Sequence, residues 1–328
     1  METPGPSLLM PTTFRIKRFN PESESPQPYF QEYELETERS DTVLDALIKI
    51  RESIDESLAL RCSCRGAICG SCGMRINGHA TLACKTKVVS LESPDGTVQV
   101  EPMNNMPVIK DLVTDMGGFW DKIRQVKPWL QPAGPKPEAE YIASPESMKH
   151  LTGVMGCIMC GACVSDCAAL EVDHQFIGPA ALAKAYRFVA DPRDGASDSR
   201  LLALNTPGGM WDCTRCMECI EVCPKEVGAM DRIMDLRAKG IDQGMPSTCG
   251  SRHAEVFADL IEHKGRLDEP LLAMRTFGLK NIGQMLSFLP MTLRALVRGK
   301  LPRSGPLHRA IPGIDRIRRL FRHTRNLP

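Results

Sequence analysis

Residues 157–167 read CIMCGACVSDC and residues 213–223 read CTRCMECIEVC, so the spacing C-x2-C-x2-C-x3-C occurs twice in this chain. This spacing is typical of bacterial ferredoxins, in which the first three cysteines of each run bind one [4Fe–4S] cluster and the fourth binds the other. We therefore predict two clusters side by side in one helical domain. The predicted ligand sets are Cys157, Cys160, Cys163 and Cys223 for one cluster and Cys167, Cys213, Cys216 and Cys219 for the other.

A third group of cysteines lies nearer the N-terminus, where C-x4-C-x2-C is followed by one further cysteine. This is the spacing of a plant-type [2Fe–2S] cluster. Glycines at 66, 70 and 73 let the loop wrap closely and leave backbone N–H groups to point at the sulfides. Cys62 is interpreted as a packed bystander. The predicted [2Fe–2S] ligands are Cys64, Cys69, Cys72 and Cys84.

A zinc-stabilised scaffold is the alternative from a different class, because four thiolates also suit tetrahedral zinc. Zinc sites usually present two C-x2-C pairs, and the run at 64–72 has only one. No Rieske centre or haem is indicated, since the histidines stand alone. No catalytic triad, phosphate-binding loop or dinucleotide fingerprint occurs, so the chain is predicted to relay electrons only. The isolated side chains are His79, His150, His174, His253 and Cys249.

Composition limits the partners. The 328 residues include 14 cysteines and carry a net charge of +1, which calls for no nucleic acid. Residues 1–13 lack the pattern of a signal peptide, so we expect a reducing compartment where clustered cysteines bind metal. No apolar run reaches the roughly 18 to 20 residues that span a bilayer. After Leu279 the chain carries eleven basic residues against the single acid Asp315.

The pattern of elements predicts an α+β chain. Alternating residues at 14–19 and 29–35 predict a β-hairpin, followed by a helix that Asp41 caps. A proline-rich stretch at 127–141 separates this sheet from a mostly helical part. There, helices are predicted from Pro179 to 189, from 230 to 238 before Gly240, and from Ser251 to 263 before Gly265. The predicted domains are a flexible N-terminus 1–13, the [2Fe–2S] domain 14–127, the two-cluster domain 128–265 and a basic extension 266–328.

The chain resembles the iron–sulfur subunit of the succinate dehydrogenase and fumarate reductase family. The resemblance implies a β-grasp ferredoxin domain, an α-helical ferredoxin domain, and electron transfer between an FAD-containing subunit and quinone. It also implies membrane-anchor partners and a peripheral position at the cytoplasmic face of the membrane. The matching stretches are TVLDAL at 42–47, LRCSCRGAICGSC at 60–72, TLACKT at 81–86, PVIKDLV at 107–113, KPWL at 127–130, the Cys157 run and CPK at 223–225.

Two departures from the common family pattern concern the third cluster. Most members have an apolar residue where this chain has Cys216, and hold a [3Fe–4S] cluster there. The additional thiolate favours a second [4Fe–4S] cluster of lower potential. In the common members, Pro-Ser and an aromatic pair follow the cysteine that corresponds to Cys167, and His follows the one that corresponds to Cys213. This chain has Ala168 and Thr214 at those points, so it lacks these residues of the usual quinone pocket.

The C-terminal extension suggests a variant class. Residues 289–302 are similar to the C-terminal part of the small iron–sulfur subunits of heterodisulfide reductases. With Cys216, this similarity points to succinate:quinone reductases that have a cysteine-rich anchor subunit, while the subunit of a heterodisulfide reductase or thiol-dependent fumarate reductase stays the alternative. Amphipathic helices at 282–297 and 311–321 are predicted either to dock on an anchor or membrane surface, or to cover their own domain.

Overall fold

The computed structural model describes residues 9–91, 96–277, 282–287, 289–300 and 309–325. The chain divides into two compact units, and the division falls between Gly240 and Ile241. The proposed domain limits after 127 and 265 are finer than this division and stay predictions. Residues 1–8 of the predicted flexible N-terminus lie outside the described residues.

A five-stranded mixed sheet forms the N-terminal part of the first unit. Its strand order is β2-β1-β5-β3-β4, with β1 antiparallel to β2 and parallel to β5. A two-stranded ribbon of β6 and β7 follows. This arrangement, with the helix α1 packed on the sheet, is the predicted β-grasp domain. The elements are β1 Leu9–Arg18, β2 Tyr29–Glu38, α1 Val43–Ser53, β3 Gly73–Ile76, β4 His79–Leu82, β5 Thr97–Glu101, β6 Val108–Lys110 and β7 Val113–Thr114.

Alternation along β1 buries Phe14 and Ile16 completely, and they pack with α1 residues such as Leu47 in one core. The helix begins one residue later than predicted. Thr42, not Asp41, is the N-cap, and it forms a capping box with Asp45. The box satisfies two backbone N–H groups at once, whereas a cap at position 41 would leave the Thr42 hydroxyl without this role.

The first strand is longer than predicted and includes residues 9–13 of the segment that was predicted to be flexible. β1 already begins at Leu9, where it pairs with Glu38 of β2. The buried hydroxyls of Thr12 and Thr37 lie 2.9 Å apart and form a hydrogen bond across the pair. Within the part of the chain that the structure describes, only four residues of β1 pair with β5, whereas the ladder between β1 and β2 extends further toward the N-terminus. Residues 9–13 therefore belong to the strand through their pairing with β2.

Helices build the rest of the first unit, and α6 lies at its centre. Pro179 occupies the first helical position, and the alanines of α6 are buried. The helix α9 passes through Gly240 instead of ending before it, because Gly240 is itself buried in the helix. The helices are α2 Gly117–Gln125, α3 Pro145–Met148, α4 Ala162–Ser165, α5 Ala168–Val172, α6 Pro179–Val189, α7 Ser197–Leu204, α8 Glu218–Glu221 and α9 Ala229–Asp242.

A buried ion pair fastens the start of the proline-rich stretch to the helical part. Arg200 of α7 lies 3.0 Å from Asp194 and donates hydrogen bonds to the carbonyls of Val126, Lys127 and Trp129. Both charged side chains are almost fully buried, and their partners satisfy them. The connection between the sheet and the helices is therefore held in place at its first residues.

The second unit contains α10 Cys249–Lys264, α11 Glu269–Phe277, α12 Ile282–Ser287, α13 Leu289–Val297 and α14 Ile314–Arg325. Thr248 caps α10, and Ser251 completes its capping box from the third position, which corrects the predicted cap. Gly265 ends this helix in the left-handed region, as predicted. The described residues of the predicted helix at 282–297 are helical, as α12 and α13, and residue 288 lies outside the description. The last helix, α14, begins after Gly313 rather than at 311.

Among the described residues, no helix has the length and apolar character needed to cross a membrane.

Candidate functional site

The loop at 64–72 folds around its own cysteine sulfurs. The backbone N–H groups of Gly66, Ile68 and Cys69 each lie 3.3 to 3.4 Å from the sulfur of Cys64, and that of Ala67 lies 3.3 Å from the sulfur of Cys84. Arg65 and Ala67 adopt positive φ, which turns successive N–H groups to one side. Such donors stabilise negative charge on the sulfurs.

The four predicted [2Fe–2S] residues come together from three places in the sheet domain. Cys64 and Cys69 lie in the exposed part of the loop, Cys72 leads into β3, and Cys84 follows β4. Hydrogen bonds from Ser71 and the loop backbone lower the pKa of Cys69 to about 6. Burial, together with the neighbouring Cys84 and Cys69, raises the pKa of Cys72 to about 12. The thiol of Cys69 is therefore exposed to water, whereas that of Cys72 lies in the core of the sheet domain.

The repeated cysteine runs fold alike. In each, a 3-10 turn leads to the first cysteine, and a left-handed residue precedes a one-turn helix that carries the third cysteine. The left-handed residue is Gly161 in the first run and Met217, at φ 75°, in the second. Glycine adopts this conformation without strain, whereas methionine does so at a cost. The sequence repeat is thus a structural repeat.

Two cavities lie between these runs. Cys157, Cys160, Cys163 and Cys223 border the first cavity, and Cys167, Cys213, Cys216 and Cys219 border the second. Cys219 also borders the first cavity. The fourth cysteine of each run therefore faces the other run's cavity, as the spacing predicts. Ala180 and Ala183 of α6 line the first cavity and Pro179 lines the second, so this helix contributes to both.

Burial disfavours the charged form of these thiols. It raises the pKa of Cys219 to about 12, and raises those of Cys160 and Cys167, with further contributions from neighbouring cysteines. The pKa of Cys163 is raised well above its ordinary value for the same reasons. Cationic iron reverses this preference, because it binds the thiolate. Apolar cavities bordered by at least four thiols suit the iron–sulfur clusters that the spacing predicts.

The [2Fe–2S] loop touches the first run directly. A Cβ added to Gly70 would lie 2.9 Å from the Cβ of Cys160, and one added to Gly73 would lie 3.2 Å from the carbonyl oxygen of Cys160. These glycines were expected to shape the loop around its own cluster. Their contact with Cys160 shows a second role, because only glycine allows the two loops to approach so closely.

Hydrogen bonds between the sheet and helical domains reinforce this contact, and nothing in the sequence indicated them. Asp166 accepts from Arg75 at 2.6 Å and from the N–H of Ala80 at 2.8 Å. The Asn105 side chain donates to three carbonyls next to the fourth cysteine of the first run, those of Val164, Ser165 and Cys167. These residues position the first run against the sheet domain.

A buried cation lies beside the second run and was also missed. Arg237 of α9 donates to the carbonyls of Met210 and Cys213, at 2.8 and 2.9 Å, and its guanidinium lies over the Trp211 ring. Burial lowers its pKa, and nearby Cys213 opposes that shift. Arg237 therefore places a positive charge beside Cys213, where the charges of Arg215 and Asp212 also act on it.

The remaining cysteines have other surroundings. Cys62 packs partly buried against the sheet-domain core, and Cys249 is exposed at the first turn of α10. In the part of the chain that the structure describes, no three His, Cys, Asp or Glu side chains are grouped to hold a single metal ion.

Fold and thiol sites together define a two-domain iron–sulfur protein of the ferredoxin type. Residues 13–121 match the family described as a 2Fe-2S iron-sulfur cluster binding domain, and residues 153–227 match the 4Fe-4S dicluster domain. The chain is 38% identical over 234 residues to the succinate dehydrogenase iron–sulfur subunit of Coxiella burnetii, covering 70% of this chain and 97% of that one. It is 41% identical over 222 residues to the fumarate reductase iron–sulfur subunit of Mycobacterium tuberculosis, covering 66% and 89%.

A chain of the Mycobacterium smegmatis Sdh1 complex in the apo form has the same fold, with a TM-score of 0.66 and 25% identity over 72% of this chain and 97% of that one. This protein therefore belongs to the family of succinate dehydrogenase and fumarate reductase iron–sulfur subunits. Its role in that oxidoreductase is electron transfer.

Proposed function

We propose that this chain transfers electrons through three clusters, between an FAD-containing flavoprotein subunit and a membrane-anchor subunit. The proposed ligands are Cys64, Cys69, Cys72 and Cys84 for [2Fe–2S], Cys157, Cys160, Cys163 and Cys223 for one [4Fe–4S], and Cys167, Cys213, Cys216 and Cys219 for a second [4Fe–4S]. The observation that carries this proposal is the crossing of Cys167 and Cys223, each of which borders the cavity of the other run.

The protein's own residues set the conditions for transfer. Bound clusters supply reversible one-electron redox chemistry. Backbone N–H groups of the 64–72 loop donate to sulfur and stabilise added negative charge. Gly70 and Gly73 bring the first loop into contact with Cys160. Apolar side chains of α6 keep water from the cavities between the two runs.

The third cluster supports the variant class. Cys216 borders the second cavity together with Cys213 and Cys219, which supports a role for its thiolate as ligand of the iron that a [3Fe–4S] cluster lacks. We infer a [4Fe–4S] cluster there and a cysteine-rich anchor related to heterodisulfide reductase. A quinone site beside this cluster does not follow from the family pattern, because Ala168 and Thr214 replace its usual residues. The subunit is proposed to work at the cytoplasmic face of the membrane.

Metal analysis tests the cluster content. Anaerobically purified protein should hold about ten irons, the sum of one [2Fe–2S] and two [4Fe–4S] clusters, with a matching amount of labile sulfide. Cys223→Ser and Cys167→Ser should each lower the iron content of a different cluster, while Cys249→Ser leaves it unchanged. Protein that contains zinc and no labile sulfide would establish the scaffold alternative instead.

Purification of the complex tests the partners. The intact assembly should contain a subunit with bound FAD and a cysteine-rich anchor subunit. An anchor made of haem-binding transmembrane helices would refute the variant class but leave the electron-transfer role unchanged.

A further inference from the structure

An uncovered apolar stripe runs along α13. Leu289, Leu293, Leu296 and Val297 follow one another at i, i+4, i+7 and i+8, which places them on one face of the helix. Their exposed fractions range from 50% at Leu289 to 86% at Val297. All nine residues of α13 are described, and none is buried. The helix therefore does not use this face to cover its own unit.

Basic residues accompany the stripe. Arg294 follows the stripe residue Leu293, about 100° further round the helix. Arg298 is the first residue after α13, and Lys300 lies two residues beyond it. All three side chains are exposed. No acidic residue occurs between 282 and 300. Arginine and lysine can lay their aliphatic stems along apolar surface while the charged ends stay in water.

The neighbouring helix α14 behaves differently and serves as an internal comparison. Three of its apolar residues, Ile314, Ile317 and Phe321, are half-buried while Leu320 is exposed, and Arg318 donates to the carbonyl of His263 in α10. α14 therefore covers its own unit, which is the second of the two roles predicted for the tail helices. In α13, whose side chains are all described, the apolar face does not have this role.

We infer that α13 inserts its leucine stripe into the headgroup region of an anionic membrane. Nine residues reach only about 14 Å, so the helix can lie in the interface but cannot span a bilayer. An apolar stripe with flanking cations and no acid suits anionic lipid. Two copies of this chain would instead bring like charges together, which opposes self-association through α13. The inference does not depend on which cysteines bind which cluster.

Vesicle binding of the full-length iron–sulfur protein tests this inference. The protein should sediment with vesicles that mix phosphatidylglycerol and phosphatidylcholine, and not with phosphatidylcholine alone. Binding should weaken in about 1 M salt, where the screening length falls to about 3 Å. The double change Arg294→Gln and Arg298→Gln should weaken it roughly 25-fold, since each basic residue contributes about fivefold near an anionic surface.

The apolar contribution needs its own variant. Leu293→Glu combined with Leu296→Glu should reduce vesicle binding at least about tenfold, because the charges oppose burial of the stripe. Leu202→Glu is the matched control: it changes an equally exposed leucine on α7, and binding should stay as in the unchanged protein. Iron content and circular dichroism should be the same in all variants, because none of these side chains is buried.

Hydrogen exchange locates the contact. Anionic vesicles should slow amide exchange within 289–300 more than elsewhere in the second unit. Unchanged exchange there would refute the inference, as would equal binding to neutral vesicles or full binding by the double-glutamate variant. If the protein ignores vesicles but binds native membranes until protease treatment, α13 docks on a protein and the lipid assignment is wrong. Concentration-dependent self-association that the glutamates abolish would equally refute it.

Discussion

Cys64 and Cys72 show how differently single thiols are placed within one proposed site. Cys64 is exposed and its sulfur accepts three backbone N–H bonds, whereas Cys72 is buried against the core of the sheet domain. Hydrogen bonds to sulfur raise a cluster's potential, and burial among apolar groups lowers it. At the scale of the residue, the chain therefore adjusts each ligand separately.

The first prediction concerns Cys216. Replacing it with isoleucine removes a thiolate from the second cavity while keeping an apolar residue of the type common in the family. We expect the variant to show the electron paramagnetic resonance signal of an oxidised [3Fe–4S] cluster, and a higher potential, because one iron and one thiolate charge are lost. Cys249→Ile makes the same change at an exposed site and should leave the spectrum unaltered. The signal at full occupancy in anaerobic wild-type protein would mean that Cys216 binds no iron.

A second prediction at this scale concerns Arg237. Arg237→Met removes a buried positive charge beside Cys213, which destabilises the reduced state and should lower the potential of the third cluster. At an effective dielectric constant of about 20, a unit charge contributes on the order of 1 to 2 kcal/mol over separations of roughly 8 to 16 Å. The shift should thus be on the order of 50 to 100 mV. Arg237→Lys keeps the positive charge and should keep most of the wild-type potential of the third cluster. Arg124→Met removes a cation from an exposed ion pair and should leave that potential unchanged. Redox titration at a low temperature distinguishes these outcomes.

At the scale of elements, the two domains of the first unit meet through glycine. Gly70 and Gly73 place the loop before β3 against the loop before α4, and Arg75 of β3 is paired with Asp166. Electron transfer weakens steeply with distance, so the loop contact matters for function as well as for packing. A side chain inserted there would separate the two cysteine loops.

Gly70→Ala tests this contact. The new methyl group would lie 2.9 Å from the Cβ of Cys160 and 3.0 Å from its Cα, so the loops must move apart. We expect weaker magnetic interaction between the first two clusters and a loss of stability of about 2 to 4 kcal/mol, from left-handed strain plus overpacking. Gly78→Ala is a close control, because Gly78 also has positive φ but nothing lies within 4 Å of the added methyl. Equal effects of the two changes would show that strain alone is responsible.

Local sequence patterns predicted the helices and strands better than they predicted which of these elements pack or pair together. Alternation at Phe14 and Ile16 indicated the β1–β2 hairpin, and Pro179 marked the start of α6, because both signals lie within a few residues. The parallel pairing of β1 with β5 could not be predicted from local sequence patterns, since it joins residues that are far apart in the chain. The start of β1 was missed for a related reason, because its first residues depend on the ladder with β2.

The candidate site shows the same difference between what local sequence patterns predict and what long-range contacts determine. The spacing of the cysteines is what predicts the proposed ligand groups, because iron–sulfur ligation restricts how far apart neighbouring ligands can stand. Residues that position those loops gave no such signal. Arg75 and Asp166 are separated by 91 residues, and Arg237 resembles any other arginine of an amphipathic helix until its burial is known. Tertiary contacts, and not local chemistry, give these side chains their roles.

On the scale of the whole molecule, the two units differ in what stabilises them. All twelve proposed ligands belong to the first unit, whereas the second has its own apolar core around Val256, Leu260 and Leu272. Metal binding contributes free energy of folding only where the ligands are. Loss of iron should therefore affect the units unequally.

Removing iron with a chelator under oxidising conditions tests this difference. We expect the main thermal transition to shift to lower temperature, because buried thiols such as Cys219 lose the cation that stabilises them in place. A residual helical transition from α10 and α11 should stay unchanged, as followed by circular dichroism. If the whole chain melts in one step both with and without iron, the two units unfold together and the expected independence is wrong.

The crossed fourth cysteines also govern when a newly made chain can take up its cofactors. As a ribosome releases the polypeptide from the N-terminus, the four thiols of the sheet domain are all available once Cys84 has emerged. On the proposed assignments, the second cavity waits for Cys219 and the first for Cys223. Both cubane sites therefore become complete within four residues of each other, late in synthesis. A truncated chain that stops between the two runs has three of the four proposed ligands for the first cavity and one for the second, so such a product cannot complete either cubane site.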